Sequence, residues 1–126
     1  MRGLVSGRVF LGGVSYGGRQ ASMLAAAEPA LVDGLLLLSY PLHPPAQPRR
    51  LRTEHFALLR APTLFVHGTR DPFGALPELE AARVLIPART EVLAVTGGHE
   101  LGYSRAAAAD VELPARIVSA FVALIA

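Results

Sequence analysis

Gly13-Val14-Ser15-Tyr16-Gly17 places one hydroxyl between two glycines, at the junction of an apolar run (Arg8 to Val14) and a helical pattern. A chain that turns from strand to helix at a single residue leaves that residue strained and exposed at the end of the strand, where its hydroxyl can attack a carbonyl. Side chains at positions 13 and 17 would collide where strand and helix approach, which calls for small residues at both. The backbone N–H of Tyr16, at the start of the helix, is then aimed where negative charge would develop on an attacked carbonyl oxygen. Glycine-rich turns between strand and helix also bind phosphate, so the pentapeptide alone leaves both chemistries open.

Two later residues narrow the choice. Asp71 lies four residues beyond the apolar run Thr63 to His67, and His99 lies four beyond the run Glu91 to Val95. Both fall where strand ends meet loops, the side on which open α/β sheets bind ligands. A serine, a carboxylate and an imidazole, each following its own strand, are the parts of a nucleophile, its orienting acid and its base. The chain has three aspartates; Asp33 precedes its strand and Asp110 follows an alanine run, which leaves Asp71 as the acid. Glu100 adjoins His99 and is poorly placed to orient that ring. His67 reads as a structural residue shaping the turn that presents Asp71, and His55 as a solvent-facing helix residue. His43, in a proline-rich loop, is the candidate substrate-binding residue, against the alternative of a solvated loop. Arg49, Arg50 and Arg52 could grip an anion, though a solvated loop accounts for them as well. No histidine or carboxylate cluster has metal spacing.

The elements that must position these residues are short. Four apolar runs, Arg8 to Val14, Gly34 to Ser39, Thr63 to His67 and Glu91 to Val95, are bounded by glycine or proline and do not alternate with polar residues. Continuous apolar strands are covered on both faces, as in a parallel sheet. Helices fit between and after them: Gly18 to Glu28, a short one over Thr53 to Leu59 capped by Thr53, Pro77 to Ile86 with Pro77 at its first position, and Glu112 to Ile125. In the last, Ile117, Phe121 and Leu124 form one stripe and Val118, Val122 and Ile125 widen it, so burial over much of its surface is expected. Tyr40 to Arg52, with four prolines and three arginines, is a loop. The order predicts an α/β fold: an open, mostly parallel sheet of about four strands with flanking helices and right-handed crossovers.

Composition agrees with a single domain over 1–126. Hydrophobic residues make up 52% and charged residues 17% of the 126, which excludes intrinsic disorder. The absence of cysteine excludes a disulfide scaffold and thiolate zinc sites. The net charge is +2 and ten acids nearly balance twelve arginines, so no cationic field for nucleic acid is expected. The longest apolar run is far short of the ~20 residues that span a bilayer. With no targeting segment recognised, a cytoplasmic location, without membrane partners, is the expectation.

The stretches GGVSYGGRQASMLAA, YPLHPP, LRTEHF, PTLFVHGTRDPFG and GGHEL resemble the α/β-hydrolase superfamily. Within it they are similar to the dienelactone-hydrolase-like group, and there to the domain shared by testis-expressed protein thirty and a subunit of the non-specific-lethal chromatin complex. The order Ser, Asp, His is the superfamily's order. The resemblance implies Ser15 as nucleophile, His99 as base and Asp71 as orienting acid. It does not imply one substrate, and dienelactone hydrolases proper use a cysteine that this chain lacks. The superfamily fold has about eight strands, so these four correspond to its C-terminal part, and 1–126 is read as an N-terminally truncated domain of that fold. A chain lacking the earlier strands would leave the first strand's outer edge bare, and a bare apolar edge favours self-association, here as a homodimer. The reading is a serine hydrolase of a small ester or thioester, needing no cofactor, with Tyr16 N–H in the oxyanion hole. The alternatives are a non-catalytic interaction module and, more weakly, a phosphate or nucleotide binder, which lacks both the P-loop lysine and a G-x-G-x-x-G.

Overall fold

A computed structural model of the chain describes residues 7–101 and 112–126. Four strands, β1 (Phe10–Val14), β2 (Gly34–Leu38), β3 (Thr63–Gly68) and β4 (Thr90–Val95), form one sheet in the order β1-β2-β3-β4. All three pairings are parallel, with Val14 level with Leu38, Leu38 with Val66 and Val66 with Leu93. The C-terminal ends of the four strands therefore open onto one side. Asp110, set aside above, lies outside the described residues.

Both faces of the two central strands are covered, as their unbroken apolar runs require. On one face, Leu35, Leu37 and Phe65 pack against α1 (Tyr16–Ala27), α2 (Leu76–Arg83) and the buried Tyr40, Phe56 and Leu59. On the other, Leu64, Val66 and Val95 pack against Leu113, Ile117 and Leu124 of α3 (Leu113–Ile125). Phe121 of α3 reaches the far strand, where its ring meets Phe10 edge-on at 5.5 Å.

Three local expectations need correction. The segment 53–59 is only a single 3-10 turn, Phe56–Leu58, and no side chain caps it; Thr53 contributes its carbonyl, which accepts from Phe56 N–H at 3.0 Å. Phe56 and Leu59, both buried, are three apart, the spacing at which a 3-10 turn aligns side chains. In α2, Leu76 precedes Pro77, and the regular helix stops at Arg83; 3-10-type bonds carry the turn on to Ile86. In α3 the buried stripe is narrower than expected, because Val118 and Val122 are 62% and 55% exposed on the flank beside β1.

Candidate functional site

Ser15 sits at the junction the sequence requires. Its backbone has φ 54° and ψ −120°, off the regions that non-glycine residues favour. The strain is held by bonds on both sides: Ser15 N–H donates to the Leu38 carbonyl at 2.7 Å, extending the β1–β2 ladder, and the Ser15 carbonyl accepts from Arg19 N–H at 3.1 Å, opening α1. Gly13 is needed because a Cβ there would lie 2.5 Å from the Gly17 carbonyl carbon and 2.6 Å from Gly18 N. Gly17 is not needed for that reason, since its Cβ would meet nothing within 4 Å. The close partner of the strand is Gly18, whose Cβ would lie 2.9 Å from the Gly13 carbonyl oxygen. The steric expectation therefore holds for position 13 and moves from 17 to 18.

Asp71 and His99 come from the loops after β3 and β4. These loops are sewn together by Thr69 N–H to the Val95 carbonyl and Arg70 N–H to the Gly97 carbonyl, both at 2.9 Å. Asp71 is 2% exposed. Its Oδ1 accepts from Phe73 N–H at 2.8 Å, and its Oδ2 accepts from His99 Nδ1–H at 2.7 Å. With Nδ1 donating, the neutral ring presents a lone pair at Nε2, which lies 2.8 Å from Ser15 Oγ. The structure thus brings Ser15, His99 and Asp71 into one hydrogen-bonded line across three loops, with the serine proton directed at an imidazole that a buried carboxylate orients.

Tyr16 is the first residue of α1, so its N–H is a donor that no carbonyl of the helix can take. Its phenol lies outward, 60% exposed, and accepts from Gln20 Nε2 at 2.9 Å.

The remaining histidines sit differently from the sequence reading. His43 is neither on a solvated loop nor presented to a ligand: it is 3% exposed, with Nδ1 2.8 Å from the Pro44 carbonyl and Nε2 2.7 Å from Glu78 Oε2. The turn at Pro44 and the start of α2 enclose the ring, so a substrate could reach its nitrogens only by displacing both bonds. His55 is half-buried rather than solvent-facing. Its Nε2 lies 2.7 Å from Ser22 Oγ, and its ring meets Phe56 edge-on. This second Ser–His pair is not poised as the first is, because the Ser22 proton already goes to the Arg19 carbonyl at 2.8 Å. Burial holds the His55 ring below its ordinary pKa, and the Arg19 charge adds to that. His67 is buried and structural as expected, with Nε2–H donating to the Gly74 carbonyl at 2.6 Å in the turn that carries Asp71.

Two residues around the site escaped the sequence reading. Ser39, level with Ser15 on the neighbouring strand and likewise at positive φ (55°), donates its hydroxyl to the His99 carbonyl at 2.7 Å. Phe73 lays its ring against His99 with centroids 4.5 Å apart. A serine one residue past a strand could have been flagged from its place in the ladder; nothing local marks the phenylalanine. Among the described residues, no group of three or more His, Asp or Glu side chains could hold a metal ion, and no helix is long and apolar enough to cross a membrane.

Comparison with solved structures finds the same fold. Acetyl xylan esterase 1 from Thermoanaerobacterium is 15% identical, with a TM-score of 0.67 over 94% of this chain and 45% of that one. Est1E from Butyrivibrio proteoclasticus, in a structure with ferulic acid bound, is 15% identical, with a TM-score of 0.71 over 94% of this chain and 60% of that one. Dienelactone hydrolase from Anabaena variabilis is 21% identical, with a TM-score of 0.66 over 92% of this chain and 49% of that one. The chain therefore spans about half the length of the solved structures it matches. A family model described as an alpha/beta hydrolase domain matches residues 3–124, nearly the whole chain. With that match, and with a parallel sheet whose first strand turns into its helix at a strained serine, this chain belongs to the alpha/beta hydrolase domain family.

Proposed function

We propose that the chain is a serine hydrolase that cleaves a small ester or thioester through Ser15, His99 and Asp71. The observation that carries the reading is the continuous line of short hydrogen bonds from Ser15 Oγ to His99 Nε2 (2.8 Å) and from His99 Nδ1 to Asp71 Oδ2 (2.7 Å). Ser15 Oγ attacks the substrate carbonyl as His99 Nε2 takes its proton. The imidazolium so formed is stabilised by Asp71, which is buried and keeps Nδ1–H in place. The charge on the tetrahedral oxygen is met by Tyr16 N–H at the positive end of α1. His99 then returns the proton to the leaving alcohol or thiol, leaving Ser15 acylated. Water, deprotonated by the same ring, releases the acid and restores the serine.

The test is hydrolysis of p-nitrophenyl acetate together with labelling by a fluorophosphonate. Wild type is expected to hydrolyse the ester and to be labelled at Ser15, and Ser15→Ala to lose labelling and about 10⁴-fold or more of turnover. Labelling of Ser15→Ala at the wild-type rate would remove Ser15 from the role.

The same reading gives the outer edge of β1 a second copy of this chain as its partner. Among the described residues β1 pairs only with β2, and Phe10 and Val14 on its surface are 41% and 63% exposed. Sedimentation should show a dimer that Val14→Lys dissociates, and a monomeric wild type at high concentration would remove it. A cytoplasmic location completes the proposal; fractionation of source cells tests it, and recovery in the membrane or secreted fraction would overturn it.

A further inference from the structure

We propose that His43 is a positioning residue for the Ser15–His99–Asp71 site, held through both ring nitrogens between Glu78 and Pro44 and acting through Phe73. The inference rests on the hydrolase reading above for its kinetic test, and on geometry alone for the rest.

The two ring nitrogens of His43 both face acceptors. The Pro44 carbonyl, 2.8 Å from Nδ1, has no proton to give. Glu78 Oε2, 2.7 Å from Nε2, belongs to a carboxyl held below its ordinary range, first by the backbone N–H of Ala75 on Oε1 and further by His43 itself. Both ring nitrogens are therefore engaged, one by a backbone carbonyl and one by a carboxylate. A buried ring nitrogen needs its partner, so the ring ties the loop after β2 to the first turn of α2. The further titratable group that bears on this pair is His67 on β3.

The tie reaches the site by a short route. His43 N–H donates to the Phe73 carbonyl at 3.0 Å. Phe73 N–H donates to Asp71 Oδ1 at 2.8 Å, and the Phe73 ring lies 4.5 Å from that of His99. The neighbouring residues reinforce the contact, since Gly74, at φ 144°, comes so close to Leu42 that a Cβ there would lie 2.8 Å from Leu42 Cδ1. Phe73 is thus fixed on one side by the His43 loop and on the other touches both Asp71 and His99. Releasing the His43 ring removes one of the two sides that set the Asp71–His99 geometry, while leaving both reacting residues intact.

The experiment compares wild type with His43→Gln, Glu78→Gln and the double variant. Three readouts are taken on each: kcat and KM for p-nitrophenyl acetate, the low-field proton resonance of His99 Nδ1, and thermal unfolding. The expected result for His43→Gln is a kcat lower by about 10- to 100-fold, with KM within about twofold, because only alignment is disturbed. The Nδ1 resonance should move or broaden, and Glu78→Gln should change both readouts in the same direction. The double variant should be no worse than His43→Gln alone, since the two residues act as one unit. A folded His43→Gln whose kcat and Nδ1 resonance match wild type overturns the proposal, even if its melting temperature falls. Should His43→Gln fail to fold, unchanged kcat and resonance in Glu78→Gln overturn it equally. If wild type itself shows no hydrolysis and no fluorophosphonate labelling, the hydrolase reading fails, and the Nδ1 resonance still decides the role of His43.

Discussion

Gly68 is where the site is most exposed to a single methyl group. It ends β3, is buried, and stands three residues before Asp71. A Cβ there would lie 2.1 Å from the Gly98 carbonyl oxygen and 2.8 Å from that of Gly97. Gly98 is the residue before His99, so the overlap falls between the two loops that carry Asp71 and His99. Real Cβ contacts essentially never fall below 3.0 Å, so the loops must part by about 0.9 Å to accept alanine. The Asp71–His99 bond is 2.7 Å, and the same displacement along it would stretch it past hydrogen-bonding range. The expected consequence for Gly68→Ala is a fall in kcat of about 10²-fold, as for a 1 Å misplacement of reacting groups, with KM little changed. Overpacking against backbone should also cost stability, by about 1–3 kcal/mol. The assay is p-nitrophenyl acetate turnover beside a urea unfolding curve, with the His99 Nδ1 proton as a direct report on the bond. A Gly68→Ala protein with wild-type turnover and an unmoved unfolding midpoint would show that the loops are not held in the close approach described, and would refute the reasoning.

Further outcomes follow from the same structure. Gly13→Ala should lose turnover and stability together, because its Cβ would lie 2.5 Å from helix backbone, whereas Gly17→Ala should keep turnover and gain a few tenths to about 1 kcal/mol from helix propensity; turnover and urea midpoints of the pair check this. Burial of Tyr40 pushes its phenol up to about 12 from the usual 10.0. The folded state therefore resists ionisation, so its stabilisation is complete below pH 10 and is lost as pH rises towards 12; the two-unit difference is about 3 kcal/mol, to be read as an alkaline unfolding slope that Tyr40→Phe abolishes. His55, held below its usual 6.5 by burial, binds its proton less readily folded than unfolded. Its stabilisation is complete above pH 6.5 and declines as pH falls from there through the lowered folded value, and His55→Gln should flatten that part of a stability–pH curve.

What the sequence made legible was set by local rules, and what it hid was set by distant contacts. Strands β1 to β4 were readable because unbroken apolar runs between glycines and prolines are what a sheet covered on both faces requires. The parallel order follows from the crossovers. The placement of Ser15, Asp71 and His99 just past strand ends was readable for the same reason, since that is the side where such sheets bind ligands. His55 was misread because its partner, Ser22, is 33 residues away and no periodicity connects a proline-flanked segment to the middle of α1. His43 was placed in a loop correctly, but its burial depends on Glu78, 35 residues later. Val118 and Val122 were counted as core because helical spacing cannot tell a buried flank from one that borders the outermost strand.

That last misreading bears on how the site is supported. The three candidate residues lean on β1 to β4 unequally: Asp71 and His99 hang from β3 and β4, which pair along six register positions, with the loops bonded to each other besides. Ser15 hangs from β1, whose outer edge is bare of strand partners among the described residues and whose surface side shares an exposed apolar flank with Val118 and Val122. What holds Ser15 in register is its own N–H on the Leu38 carbonyl, the Gly13–Gly18 approach and the α1 turn it opens. Ser39, one strand inward, repeats the device: it too leaves its strand at positive φ, and its N–H donates to the Val66 carbonyl. Its hydroxyl then pins the His99 carbonyl, so His99 is referenced to the strand beside β1 as well as to Asp71. The geometry between Ser15 and His99 is therefore set across β2, the one strand that touches both halves of the site. Ser39→Ala separates this support from the Asp71 support: it should lengthen the Ser15–His99 contact and lower kcat while leaving the His99 Nδ1 resonance in place. A shifted Nδ1 resonance in that variant would mean that the two supports are one.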